Sequence, residues 1–239
     1  MAYDSAWNLI QDYTFPGSSL PAAWTPYTGG PWGTGAGISV SGGVLNLETD
    51  STGTYDAGVR TNASWTYGRW EISATVDQDS HNLTGPAVLL WPVSQAWPLE
   101  VEIDIAECQS GTRGFTAQTV HYGKTDISPV YLPNVTEVNS VAFNGSLPHV
   151  YAVEWVPDGI TFWIDGYPVN QLVGPAALIP QTPHFLGLQF GLNVYTGSPS
   201  TATNIGLHVS EVKVFDGSGQ PANVPNRFTM AGGTRHRWK

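Results

Sequence analysis

The sequence predicts an all-β fold. Apolar and polar residues alternate over runs of about four to eight positions, which is the pattern of strands buried on one face. The 239 residues include 27 glycines and 18 prolines but only 12% charged residues, a composition typical of short strands joined by tight turns. Because 41% of the residues are hydrophobic, the chain can bury a large core, and β-sandwiches of this length form single domains.

The predicted strands follow one another along most of the chain. Clear alternation occurs at residues 43–48, 68–76, 116–122, 150–156, 160–164 and 207–215. Asp158-Gly159 and Asp165-Gly166 predict tight hairpin turns, because Asp-Gly readily adopts the backbone angles that such turns require. Helical periodicity is confined to residues 173–179, where Pro175 within the segment and Pro180 directly after it limit any helix to a single turn.

The domain organisation predicted from the sequence is simple. No repeat of fixed period and no low-complexity segment divides the chain. We expect one β-sandwich domain over residues 1–216. Residues 217–239, which are rich in glycine, proline, asparagine and basic residues, are expected to form a poorly ordered tail.

The distribution of charge narrows the range of partners. The formal net charge is −10, and only four of the nine lysines and arginines precede residue 200. An acidic body repels phosphate backbones, so we expect no nucleic-acid partner and favour a neutral polysaccharide. No apolar run has the length of a membrane span, so membrane insertion is not expected. The oligomeric state is left open.

The cysteine content and the first residues bear on localisation. Cys108 is the single cysteine and cannot form an internal disulfide. The first residues show neither a basic leader nor an apolar run of signal length. We expect action on an extracellular or cell-wall glycan, with a leader that was removed or with release of the protein in a phage particle.

Residues 101–107 predict a strand that carries three acids. The apolar residues alternate onto one side, so Glu102 and Asp104 lie together on the other. In a regular strand Glu107 would point into the apolar layer, where an unpaired carboxylate is costly. A β-bulge at 105–106 would add one residue and return Glu107 to the face of the other two acids.

Three carboxylates on one face suggest glycoside hydrolysis. Two glutamates at this spacing can approach to the roughly 5 Å of a retaining glycosidase, which fits better than the inverting gap of about 6.5–9.5 Å. We assign Glu102 as the ionised nucleophile, Asp104 as its hydrogen-bonding helper and Glu107 as the acid/base, with one pKa raised and one held down. The alternatives are a solvated acidic sheet face and a structural calcium site. Catalysis itself requires no cofactor or metal.

The hexapeptide 102–107 resembles the active-site strand of glycoside hydrolase family 16, in the bulged form of its laminarinase-type and agarase-type members. Other segments resemble the family in the same order, and the resemblance spans about residues 8–216. These segments are 67–72, 85–92, 97–98, 121–123, 149–166, 188–189 and 211–215.

The resemblance implies a jelly-roll β-sandwich of two curved antiparallel sheets, whose concave face forms a cleft for a β-glucan or galactan. It implies endo-acting cleavage with retention and the three acid roles given above. It also implies that His121 hydrogen-bonds Glu107 or the sugar. Val101 and residues 88–89 differ from those of many relatives, so the sugar and linkage stay open.

Further residues are candidates for sugar binding. Flat aromatic rings match the apolar face of a pyranose, and amides can hydrogen-bond its hydroxyl groups. The candidates are Trp97, Trp91, Trp70, Gln189 and Asn82. Two alternatives to hydrolysis remain: a carbohydrate-binding or structural module of the same fold, for example in a phage particle, and transglycosylation, in which a sugar rather than water accepts the glycosyl group.

Overall fold

The computed structural model of the chain describes residues 7–27, 36–49, 57–80, 84–97, 99–108, 111–114, 116–124, 127–132, 148–173, 179–192 and 205–217. These residues form 15 β-strands and no helix, and the strands make two antiparallel sheets. The predicted all-β sandwich is therefore confirmed. Residues 174–178 of the predicted helical turn and residues 218–239 of the predicted tail lie outside the described residues. In the described part there is no helix that could serve as a membrane span.

The first sheet has eight strands and forms one layer of the sandwich. Seven of them follow the order β13-β12-β11-β6-β15-β4-β3, and β1 pairs with β15. The strands are β1 (Asn8–Thr14), β3 (Ile38–Ser41), β4 (Val44–Glu48), β6 (Gly68–Val76), β11 (His149–Val156), β12 (Gly159–Ile164), β13 (Tyr167–Val173) and β15 (Gly206–Asp216).

The second sheet has seven strands and carries the acidic segment. Its order is β10-β9-β8-β7-β14-β5-β2, so β8 lies between β7 and β9. The strands are β2 (Trp24–Pro26), β5 (Ala57–Thr61), β7 (Thr84–Pro92), β8 (Glu102–Glu107), β9 (Ala117–Lys124), β10 (Ile127–Leu132) and β14 (His184–Leu192).

The core lies between the sheets and is built from every second residue of the central strands. β6 contributes Trp70, Ile72, Ala74 and Val76, and β14 contributes Leu186, Leu188 and Phe190. All seven side chains are at most 1% exposed. Since side chains alternate across a strand, the residues between these point to the two open faces of the sandwich.

The two predicted hairpins form with different geometry. Ile164 pairs with Tyr167, so Asp165 and Gly166 form a two-residue turn, and both have positive φ (51° and 77°). Two positive φ angles are characteristic of a type I′ turn, which Asp-Gly readily forms, so this predicted turn is confirmed. In the other hairpin Val156 pairs with Gly159, so the turn consists of residues 157–158 and Gly159 is already in a strand.

Candidate active site

Strand β8, which carries the three acids, contains the predicted bulge. Against β7, Val88 pairs with Ala106 and the next residue, Leu89, pairs with Asp104, so Ile105 is an extra residue on β8. β9 shows the same offset, because the register shifts between Asp104 and Glu107 there. Ile105 and Ala106 both belong to the core cluster. The prediction of a bulge at 105–106 is therefore confirmed.

The bulge returns both glutamates to one face. On the regular strand β9 their partners are His121 and Ala117, which are four residues apart and so point to the same side. Four steps correspond to about 13 Å between Cα positions, a span that two glutamate side chains can largely close. Without the extra residue Glu107 would point into the core, where its charge would be buried.

Glu102 and Glu107 line one cavity of about 380 Å³ on the open face of the second sheet. This volume lies within the range of small-molecule sites. The remaining lining consists of Tyr27, Ala87, Leu89, Trp91, Gln95, Trp97, Phe185 and Gln189. Of the predicted sugar-binding residues, the structure thus brings Trp97, Trp91 and Gln189 together with the two glutamates.

Asp104 and His121 lie beneath this cavity. Asp104 is only 1% exposed, and its Oδ2 lies 2.7 Å from Nε2 of His121 on the neighbouring strand. The expected partner of His121 was Glu107 or the sugar, and this contact with Asp104 was not foreseen. Asp104 also hydrogen-bonds Glu102, as predicted for a helper. The cavity lining, as far as the chain is described, includes neither Asp104 nor His121.

All three acids have raised pKa values. Burial and the neighbouring carboxylates raise the pKa of Glu102 to about 9. Burial and the charge of Glu107 raise the pKa of Asp104, and burial raises that of Glu107. The expectation that one pKa would be held down is not met. The physical reason is desolvation of the whole cluster, which the charge of His121 opposes at Glu102 and Glu107.

Two tryptophans form an aromatic wall beside the glutamates. The rings of Trp91 and Trp97 are stacked with centroids 6.3 Å apart and an interplanar angle of 14°. Trp91 donates its indole N–H to Oε1 of Gln95 at 3.1 Å, which orients its ring. Trp97 is 37% exposed, so its ring remains accessible to a ligand.

Tyr27 approaches the cavity floor from the segment after β2. Its phenol hydrogen-bonds Gln189, and burial raises its pKa to about 12. Gly187 makes room for it, because a Cβ at this position would lie 2.6 Å from the Tyr27 hydroxyl oxygen. Sequence analysis missed Tyr27, and it also missed Leu89, Gln95 and Phe185 as lining residues. No local pattern indicates them, since pairing of distant strands brings them together.

Two other predictions have different outcomes. Trp70, a candidate for sugar stacking, is fully buried in the core between the sheets, so that prediction is wrong. Trp70 and Ile72 are two residues apart on β6, so both side chains point into the core. Asn82 lies outside the described residues. Cys108, the single cysteine, is fully buried and free.

Glu102, Asp104 and His121 also offer three ligand atoms within 4.8 Å of one another. Calcium prefers six to eight oxygen ligands, and this set has two carboxylates and one imidazole nitrogen. The set therefore does not match the calcium alternative considered for the acids. A structural calcium ion elsewhere in the protein stays a prediction.

Comparisons with known proteins agree with this geometry. Residues 30–211 match the family described as glycosyl hydrolases family 16. A β-glucanase from Rhodothermus marinus is 30% identical over 210 residues, covering 72% of this chain and 69% of that protein.

Solved structures show the same fold. A non-specific endo-β-1,3(4)-glucanase of family 16 superposes with a TM-score of 0.75 at 20% identity, covering 91% of this chain and 94% of the other. The laminarinase from Rhodothermus marinus has a TM-score of 0.71 at 24% identity, covering 87% and 97%. The family match covers most of the chain and includes all three acids, and the predicted resemblance is thereby confirmed: this chain belongs to glycosyl hydrolase family 16.

Proposed function

We propose that this protein is a retaining endo-β-glucanase that cleaves internal bonds of a neutral β-glucan by double displacement. The observation that carries the proposal is the bulged strand β8, which places Glu102 and Glu107 in one cavity with Asp104 beneath them. Membership of family 16 supports hydrolysis of a glycosidic bond. The relatives named as a β-glucanase, a laminarinase and an endo-β-1,3(4)-glucanase support a β-glucan as the substrate.

Glu107 is assigned as the acid/base. Burial raises its pKa, so the side chain retains a proton for the oxygen of the leaving sugar. After the first bond breaks, the same carboxylate removes a proton from water, which attacks the glycosyl-enzyme intermediate. Because the leaving sugar departs from the same face of the ring that water later attacks, opposite the nucleophile, the two inversions give net retention of the anomeric configuration.

Glu102 is assigned as the nucleophile, and it must be ionised to attack. Burial raises its pKa, and the negative charges of Asp104 and Glu107 add to this effect. Carboxylates that interact strongly titrate as a group rather than one by one. A proton on Asp104, whose pKa is also raised, would let Asp104 donate a hydrogen bond to the Glu102 carboxylate. His121, which contacts Asp104, adds positive potential at the same place.

The cavity lining supports a neutral polymer as substrate. Apart from the two glutamates, the lining residues in the described part of the chain are aromatic, aliphatic or amide side chains, without lysine or arginine. Stacked Trp91 and Trp97 provide a surface for a pyranose ring, and Gln189 offers hydrogen bonds to hydroxyl groups. With such a polymer as substrate, we propose that the enzyme acts outside the cell or on a cell-wall glycan.

The proposal is tested by incubating wild type, Glu102→Gln and Glu107→Gln with laminarin, lichenan and agarose, and measuring reducing ends. We expect release from a β-glucan by wild type and almost none by either variant. Proton NMR of the first products should show the β-anomer before mutarotation. A Glu102→Gln variant as active as wild type would overturn the assignment.

Two other outcomes identify the alternatives. Binding to glucan without release of reducing ends by wild type would indicate a binding module of the same fold. Products longer than the starting oligosaccharide, separated by chromatography, would show that a sugar competes with water for the intermediate.

A further inference from the structure

A buried histidine that the proposed mechanism does not use lies at the start of β14. His184 is fully buried, and its backbone N–H and C=O both hydrogen-bond Trp65 at 2.9 Å. The ring meets Trp155 of the opposite sheet edge-on, with centroids 5.0 Å apart and an angle of 78°. Backbone and ring are thus held from two sides, so the imidazole has a defined orientation.

Both ring nitrogens of His184 face backbone carbonyl oxygens. Nδ1 lies 2.7 Å from the carbonyl oxygen of Thr182, and Nε2 lies 2.5 Å from that of Val101. A carbonyl oxygen only accepts hydrogen bonds, and a neutral imidazole carries a single N–H. Rotating the ring by half a turn would put C–H groups at these positions. Both contacts are therefore hydrogen bonds only when the ring is an imidazolium.

The surroundings contain a carboxylate that favours this charge. Glu100 is the charged group that acts on the His184 ring among the described residues, and its Oε2 accepts hydrogen bonds from Ser94 and Thr182. The aromatic rings from the other packed segments carry no charge. Burial lowers the pKa of His184 below its ordinary value, and the two carbonyl oxygens and Glu100 oppose that effect only in part. Both contacts to acceptors are therefore satisfied together on the acid side of this lowered pKa, where the ring is protonated.

The contact with Val101 bears directly on the active site. Val101 immediately precedes Glu102, the first residue of β8. His184 pairs with Pro92 at the end of β7, and proline has no N–H to donate to the adjacent strand. The imidazole reaches the carbonyl oxygen of Val101 from β14, the strand that also carries Phe185 and Gln189 of the cavity.

We propose that His184 is a positioning residue, whose imidazolium bonds the carbonyl oxygens of Val101 and Thr182 and thereby fixes Glu102 against the cavity floor. This inference rests on the proposed function, because it takes Glu102 as the nucleophile. Loss of the bond would let the start of β8 shift, and a displacement of about 1 Å at a reacting group lowers the rate by about 100-fold.

The protonation state is tested without substrate. Two-dimensional ¹H–¹⁵N NMR of the histidine rings at pH 5 in wild type, with His184→Gln for assignment, reports the protons on both nitrogens. We expect two attached protons on His184. On titration to pH 7, which is below the raised pKa of Glu102 of about 9, loss of one ring proton should move the side-chain carboxyl ¹³C signal of Glu102 in wild type but not in His184→Gln. A neutral His184 ring at pH 5, or deprotonation without any change at Glu102, would overturn the proposal.

The positioning role is tested by kinetics at pH 5 on the β-glucan that wild type hydrolyses. His184→Phe keeps an aromatic ring and removes both donors, and we expect kcat to fall about 10- to 100-fold with KM within about twofold. His184→Gln, whose amide offers two N–H groups to acceptors, should recover most of kcat. His208→Gln, a histidine change on the other sheet, is the matched control and should leave kcat unchanged.

The outcomes separate the two proposals. A folded His184→Phe with the kcat of wild type would overturn the positioning role. If His184→Phe does not fold, the ring spectrum and the Glu102 titration of wild type decide the question. Wild type that hydrolyses none of the glucans would contradict the proposed function, while the two ring protons would still be expected.

Discussion

The two open faces of the sandwich both carry buried acids, but the acids have different partners on each face. On the outer face of the first sheet, Arg69 lies between Glu71 and Glu154, with N–O distances of 2.7 and 2.6 Å and side chains at most 8% exposed. On the open face of the second sheet, Glu102 and Asp104 are adjacent acids without an arginine between them. The acids of both faces are largely buried, and the two groups differ in whether an arginine lies between the carboxylates.

The comparison distinguishes acids that support the fold from acids placed for chemistry. A carboxylate paired with arginine stays ionised and has no proton to exchange. Carboxylates that are buried without a compensating cation have raised pKa values. Burial raises the pKa of Glu102, Asp104 and Glu107, and neighbouring negative charge adds to this at Glu102 and Asp104, which supports the proposal that the chemistry takes place on the second sheet.

The largest effect is expected from Glu102→Gln, which should lower kcat by about 10⁴-fold or more, because the nucleophile is lost. Stability should change in the opposite direction. The raised pKa means that the folded state binds a proton that the unfolded state releases, so the destabilisation by Glu102 begins above pH 4.5, grows as pH rises and is complete above about 9. We therefore expect a higher Tm than wild type at pH 8, measured by calorimetry.

The pH dependence supplies the control for this change. At pH 4, where Glu102 is protonated in both states, the Tm values of variant and wild type should converge. A variant that is less stable than wild type at pH 8 would contradict the account of an unpaired, protonated acid.

On the paired face the expected effect is on stability alone. Arg69→Met leaves two carboxylates buried without their cation, and breaking such a group costs about 3–5 kcal/mol. Chemical denaturation measures the loss. kcat at a temperature where the variant is folded should match wild type, because Arg69 lies on the opposite sheet.

A triple change sharpens this result. Adding Glu71→Gln and Glu154→Gln removes the uncompensated charges, so most of the lost stability should return. If the triple variant is as unstable as Arg69→Met, packing of Arg69 over the Trp163 ring, whose centroid is 5.3 Å away, is the larger contribution.

A smaller effect, on KM, is expected for the aromatic residues that line the cavity of the second sheet. Trp97→Ala should raise KM about tenfold with little change in kcat, since loss of one aromatic stacking surface costs about 1 kcal/mol. Tyr167→Ala on the first sheet is the matched control. It removes an aromatic ring that is 62% exposed, against 37% for Trp97, and should leave KM unchanged. Equal effects of the two changes would contradict an aromatic platform at Trp97.

The smallest effect concerns a histidine–aspartate pair on the first sheet. His208 Nε2 lies 2.9 Å from Asp77 Oδ2, and this contact raises the pKa of His208 and lowers that of Asp77. The stabilisation from His208 is complete below pH 6.5 and is lost as pH rises through the raised pKa. That from Asp77 is present above about pH 4 and is lost on further acidification.

His208→Gln should therefore lower Tm by a few degrees at pH 5.5 and by less at pH 9, as followed by circular dichroism. A Tm difference that grows from pH 5.5 to pH 9 would contradict the assigned direction of the His208 pKa shift.

Much of the fold follows from local pattern. Residues 68–76 and 160–164 alternate so regularly that their predicted bounds match β6 and β12 within one residue. The bulge in β8 was also predictable, because a regular strand would have buried the charge of Glu107. The prediction for Trp70 was wrong because it rested on residue type alone. Trp70 lies on the same side of β6 as Ile72, so its side chain points into the core.

The sequence by itself determined the all-β class, the strand that carries the acids and the single extra residue that unites them. Alternation and the cost of buried charge are local properties, and both can be read along one strand. Only the tertiary structure decided that Tyr27 and Phe185 would line the cavity with Glu102, and that His184 would reach Val101. These neighbours come from strands far apart in the chain, and which strands pair depends on the packing of the whole sandwich.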